Sequence, residues 1–158
     1  MDFREVILKM TEEANKTFFR MAKATKPDKI GWKPLDEGRS VLDMAQEVAH
    51  SPTWGAGMLA TREAPKFDEA MFEEYNRERS QWTTLEACEQ KCNENMAQLA
   101  SALRAFPVES LKETITLPFG EGMTLSFEQI AMLQHWNTTY HTGQVAYVQT
   151  LYGDKNMH

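Results

Sequence analysis

Leu133-Gln134-His135-Trp136-Asn137-Thr138-Thr139-Tyr140-His141-Thr142-Gly143-Gln144 places polar, ligand-type side chains inside what otherwise reads as a buried helix. At about 100° per residue, a helical wheel over residues 126 to 152 gathers Ile130, Asn137, His141 and Val148 into a narrow sector, with Phe127, Leu133, Val145 and Leu151 beside it. That puts His141 on the core side. Asn137 precedes it by one turn, at the i, i+4 spacing that lets two side chains meet at one point, while His135 is turned roughly 120° or more away. Two core-facing polar side chains have two explanations. They satisfy each other or a neighbouring helix, because an unpaired buried polar group costs roughly 1 to 3 kcal/mol; or they project into a bundle core as ligands for a metal or a substrate.

Working outward, Ser126 opens this last helix with Gln129 as its capping-box partner, and Gly153 closes it as a residue free to turn left-handed. From Glu113 to Leu125 the period changes from helical to alternating, which predicts a small hairpin with Ile115 and Leu117 facing Met123 and Leu125 across Phe119-Gly120-Glu121-Gly122. Upstream, Leu85, Cys88, Cys92, Met96, Leu99, Leu103 and Phe106 mark a third helix behind a Thr83-x-x-Glu86 capping box, ending before Pro107. A second helix starts at the N-cap Ser40 and carries Val41, Met44, Ala45, Val48 and Ala49 on one face. Ser51-Pro52 is expected to kink or end it, with resumption through Trp54 to Thr61.

The first helix runs from Phe3 to about Ala24, on the steps of Phe3, Val6, Ile7, Met10, Ala14, Phe18 and Met21, and Lys26-Pro27 stops it. Residues 25 to 38 read as a loop with Trp32 as a hydrophobic plug beneath it. Residues 62 to 82 are polar and hold a short helix around Asp68 to Glu78, or a long ordered loop. The fold class is therefore all-α: a four-helix bundle with a small β-hairpin between helices three and four, one domain over residues 1–158.

Composition narrows the function. A chain of 158 residues with 42% hydrophobic residues, four Trp and eight Phe builds a packed core, and no apolar run approaches the ~18 residues needed to span a bilayer. A net charge of -6 with dispersed Lys and Arg argues against nucleic-acid binding. Met1-Asp2-Phe3-Arg4-Glu5 lacks the basic and apolar regions of a secretory signal, so a cytoplasmic protein is expected. Cys88 and Cys92, spaced i, i+4 on an apolar face, read as small core filler, since CxxxC fits neither zinc-knuckle nor thioredoxin spacing.

Trp32-x-Pro34, Gly38-Arg39-Ser40, the Leu117-Pro118-Phe119-Gly120 hairpin and His141-Thr142-Gly143-Gln144 occur in order, followed by Tyr147-x-Gln149-x-Leu151-Tyr152-Gly153-Asp154. Over nearly the whole chain this resembles the DinB-like four-helix-bundle superfamily, which includes bacterial thiol-dependent transferases of the bacillithiol and mycothiol kind. The resemblance implies a divalent metal, usually zinc or nickel, held by one His of the second helix and two His at i, i+4 on the fourth. His141 matches the last of these. Asn137 stands where the second is expected, and Glu47 stands where the first is expected. A carboxylate remains a capable ligand for zinc or manganese, whereas a neutral amide oxygen is a poor one. Glu47, Asn137, His141 and water would thus bind metal less tightly than three imidazoles.

His50 offers a variant. Glu47-x-x-His50 has the i, i+3 spacing of di-iron carboxylate bundles, but no other Glu here is followed by a His three residues later. On an ideal wheel His50 lies about 60° past the apolar stripe and faces solvent, so a mononuclear site of Glu47, His50 and His141 requires Pro52 to turn it inward. Two functions remain open. One is a metal-dependent enzyme, a thiol transferase or hydrolase acting on a small-molecule thiol or electrophile, with zinc, nickel or manganese and with Glu47 as ligand or general base. The other is a non-catalytic, metal-free bundle with a binding or stress-response role, in which Glu47, Asn137 and His141 form a buried hydrogen-bond network. A homodimer is expected in either case.

Overall fold

The computed structural model describes residues 2–35 and 37–158. Among them the helices are α1 (Phe3–Lys23), α2 (Val41–His50), α3 (Pro52–Thr61), α4 (Glu69–Arg79), α5 (Leu85–Ala105) and α6 (Phe127–Leu151), with β1 (Thr114–Leu117) and β2 (Met123–Ser126) between the last two. Only Ser51 separates α2 from α3, so the pair is one broken helix. With it, α1, α5 and α6 form the four-helix bundle, and α4 is an extra helix lying outside against α2. No helix of the described residues is long and apolar enough to cross a membrane.

Local chemistry sets the boundaries. Ser40 Oγ accepts from the Asp43 amide at 3.1 Å and starts α2. Ser126 and Gln129 form the reciprocal capping box that their spacing predicts. Gly153 follows α6 at φ +87°, a conformation that costs a glycine nothing. The other predicted capping box, Thr83 with Glu86, does not form: Thr84 caps α5 by accepting from the Ala87 amide, and Ala87 has no polar side chain to complete a box. The hairpin has the expected register, Ile115 opposite Leu125 and Leu117 opposite Met123. It delivers α6 at a fixed angle, because the first free amides of that helix, on Phe127 and Glu128, donate to the carbonyls of Glu113 and Leu111 at 3.0 Å each.

Phe18 and Phe19 of α1, Phe127 of α6 and Phe106 after α5 fill the core, the last two with ring centroids 4.6 Å apart. Trp32 packs half-buried against that core and meets Tyr152 edge-on, as a plug should. Gly55 lets α3 approach closely, since a Cβ there would lie 3.1 Å from Leu99 of α5. Cys88 and Cys92 are buried and free, and burial pushes both thiols up to about 12. They are core filler.

The break at Ser51-Pro52 shapes the interior. Proline has no N–H, so the Val48 carbonyl loses its helical donor. Gln134 of α6 replaces it, donating from Nε2 at 3.1 Å, and Asn95 of α5 donates to the neighbouring Ala49 carbonyl at 2.8 Å. Two buried amides thus stitch the broken helix to both of its neighbours.

Candidate functional site

His141 is 1% exposed and points toward α2, as the helical wheel predicts. Its Nε2 lies 2.9 Å from Glu47 Oε1, and its Nδ1 lies 2.6 Å from Gln144 Oε1, one turn along the same helix. The other oxygen of Glu47 accepts from Arg39 Nη1 at 2.7 Å. Burial raises the Glu47 carboxyl, but the hydrogen bond from His141 and the charge of Arg39 outweigh it and hold the group at about 2. An ionised carboxylate has no proton to give, so Nε2 of His141 is the donor in this pair.

A second ion pair extends the cluster. Arg39 Nε donates to Asp43 Oδ2 at 2.5 Å, and Arg79 of α4 bonds the other oxygen of Asp43. Arg79 Nη1 also donates to the Tyr75 hydroxyl at 2.8 Å and stands 3.9 Å from Glu47. Two guanidinium groups thus face two carboxylates, and the cluster clasps α2, α4 and α6 together. Arg39, Asp43 and Glu47 recur at steps of four along one face, a spacing visible in the sequence. Arg79 gave no such signal, because it comes from α4, a helix outside the bundle.

Asn137 and His50 go elsewhere. Asn137 is half-buried and donates from Nδ2 to Ser51 Oγ at 3.0 Å, so it serves the helix break. The apolar-only wheel misplaced the buried stripe: Gln134, Thr138 and His141 occupy its centre, and Leu151 is exposed. Gln134 binds Thr138 Oγ1 at 3.0 Å, Asn15 Oδ1 at 3.2 Å and the Ser51 hydroxyl, while Thr138 donates to Asn15 at 2.8 Å. This buried polar seam joins α1 and α6 to the break between α2 and α3, through residues other than Glu47 and His141.

His50 does not face solvent, because its side chain is only 12% exposed beneath α4. Its Nε2 is 3.1 Å from Glu78 and its Nδ1 is 3.3 Å from Thr53 Oγ1. The ring meets Tyr75 edge-on at 4.7 Å and stacks by Trp82 at 6.2 Å. Burial holds this histidine below its usual value, with Glu78 pulling the other way. It borders a cleft of about 490 Å³ between α3 and α4, whose apolar walls include Trp54, Met58, Met71 and Tyr75.

These geometries test the expected metal. Both ring nitrogens of His141 and both oxygens of Glu47 already have protein partners, as have both nitrogens of His50. Among the described residues no group of three His, Cys, Asp or Glu side chains is arranged to hold an ion. The donor set, as folded, does not fit a divalent cation.

Comparison with solved structures places the fold. The chain superposes on YfiT from Bacillus subtilis, described as a probable metal-dependent hydrolase with an unusual four-helix-bundle topology, with a TM-score of 0.74 at 14% identity over 95% of this chain and 87% of that one. It also matches YjoA, a DinB-like protein from Bacillus subtilis, with a TM-score of 0.63 at 14% identity over 96% and 95% of the two chains. The chain has the DinB-like four-helix-bundle fold. A third match is a mycothiol-dependent maleylpyruvate isomerase, with a TM-score of 0.65 at 13% identity over 92% of this chain and 61% of the isomerase. No family model and no curated protein matches the sequence.

Proposed function

We propose that this chain is a metal-free, non-catalytic DinB-like bundle with a small-molecule binding role, in which Glu47 and His141 act as a structural clasp. One observation carries the reading: each donor atom that a metal would need is already bonded to protein. Arg39 supplies the positive charge that neutralises Glu47, and Gln144 takes the far side of the imidazole. A half-buried polar cluster with this many partners is costly to break and fixes the mutual placement of its helices. The exposed Trp136, Tyr140 and Tyr147 of α6 support the expected homodimer.

A second reading is favoured by the convergence of Glu47 with His141 and by the metal dependence named for YfiT. It is a zinc-, nickel- or manganese-dependent transferase or hydrolase acting on a small-molecule thiol or electrophile. Thermal unfolding of the parent and of His141→Ala, each with and without chelator, separates the two. The metal-free reading expects the variant to melt roughly 4 to 10 °C lower, from a loss of about 2 to 3 kcal/mol, with no effect of chelator on either protein. A chelator that brings the parent down to the variant overturns it.

A further inference from the structure

We propose that the cleft between α3 and α4 binds a small organic cation with an apolar body, an aryl or alkyl ammonium. This rests on the reading of the chain as a small-molecule binder and names its ligand class. The cleft, at about 490 Å³, has the size of a small-molecule site. Trp54 and Tyr75 form two of its walls, with ring centroids 6.0 Å apart and planes at 71°. Both rings are held in place before any ligand arrives. Phe67 stacks on Trp54 at 5.2 Å and 12°, and Tyr75 is fixed by the edge contact with His50 and by Arg79 at its hydroxyl. A corner of two fixed aromatic rings is how proteins hold alkylammonium groups, through attraction of the cation to the negative ring faces.

The charged lining points the same way. Glu63, Glu74 and Glu78 border the cleft, His50 and Tyr75 are the remaining titratable side chains, and no Lys or Arg lines it. Arg79, bonded to Asp43, already stands over the Tyr75 ring at 5.0 Å from its centroid, so Trp54 is the main ring left for a ligand cation. Glu74 has Arg77 as an ion-pair partner and Glu78 bonds His50, but both partners leave the lining acidic, so an anionic ligand would meet three carboxylates and no lining cation. Met58 and Met71 supply adaptable apolar contact for the body of the ligand.

The test uses the full chain and three probes of one shape: benzyltrimethylammonium, benzyl alcohol and phenylacetate, followed by calorimetry and by tryptophan fluorescence. The expected order is the cation bound about ten-fold more tightly than the alcohol, with no saturable binding of phenylacetate. Trp54→Leu should weaken the cation by a similar factor. Because Trp54 packs on Phe67, a second variant guards against misfolding: Glu63→Gln with Glu74→Gln, at exposed positions, should weaken the cation about three- to ten-fold at unchanged melting temperature. Phenylacetate binding as well as the cation, a double variant that binds the cation undiminished, or no binding by any probe overturns the proposal. Equal binding of alcohol and cation also overturns it while leaving a small-molecule binder. Stoichiometric metal would instead overturn the metal-free reading and leave the cleft untouched.

Discussion

Glu47→Gln removes one charge from the clasp and little else. The amide is nearly the shape of the carboxylate, its oxygen still accepts from His141, and Arg39 keeps Asp43 as a partner. What is lost is the preference of the site for an anion. The fall of the Glu47 carboxyl from 4.5 to about 2 corresponds to roughly 3 kcal/mol. The side chain retains 26% of its exposure, so solvent screening brings the expected loss to about 2 kcal/mol at pH 7. The sign follows from proton uptake. The folded carboxyl titrates below the unfolded one, so its contribution is full above pH 4.5 and disappears as pH falls toward 2. Urea unfolding of parent and variant at pH 7, 5, 3.5 and 2.5 should therefore show a gap of about 2 kcal/mol in the first two, with roughly two-fifths of it gone at pH 3.5 and three-quarters at pH 2.5. A gap independent of pH, or one below about 0.5 kcal/mol at pH 7, would refute the reasoning.

Two further outcomes follow from the interior. Gln134→Met keeps the length of the side chain but strips the Val48 carbonyl, Ser51, Thr138 and Asn15 of their shared partner; it should cost about 2 to 4 kcal/mol in chemical denaturation, against less than about 0.5 kcal/mol for the same change at the exposed Gln98. With their thiols pushed up to about 12 by burial, Cys88 and Cys92 should react with a disulfide reagent at pH 8 on the order of a thousand-fold more slowly in the folded protein than in urea. Rapid labelling of the native state would show that α5 is not packed as described.

Much of the fold was legible because local rules and burial agree in it. The apolar steps of α1 and α5, the caps at Ser40 and Ser126, the alternation around Phe119-Gly120 and the proline at position 52 each encode their element within a few residues. Even the doubtful stretch before α5 holds its short helix, α4, capped by Asp68. The candidate site was half legible. An imidazole on an otherwise apolar face announces itself, and its partner Glu47 lies at the edge of the facing stripe. The polar seam was hidden because a wheel that counts only apolar residues assigns Gln134 and Thr138 to the surface. Their reason for being buried is the carbonyl freed by Pro52, on a different helix 86 residues away. Asn137 read as a potential ligand for the same reason: its hydrogen bond to Ser51 is a consequence of tertiary placement. The resemblance to a metal-binding superfamily carried the fold, whose likeness the solved structures bear out.

The most direct measurement is the metal content of untagged protein, by mass spectrometry, as purified and after incubation with zinc, nickel and manganese followed by desalting. Atoms already bonded to Arg39, Gln144, Glu78 and Thr53 have no vacancy to offer, so the expected result is less than ~0.1 equivalent of any of the three. Close to one equivalent retained, and lost in the Glu47→Gln or His141→Ala protein, would contradict the account.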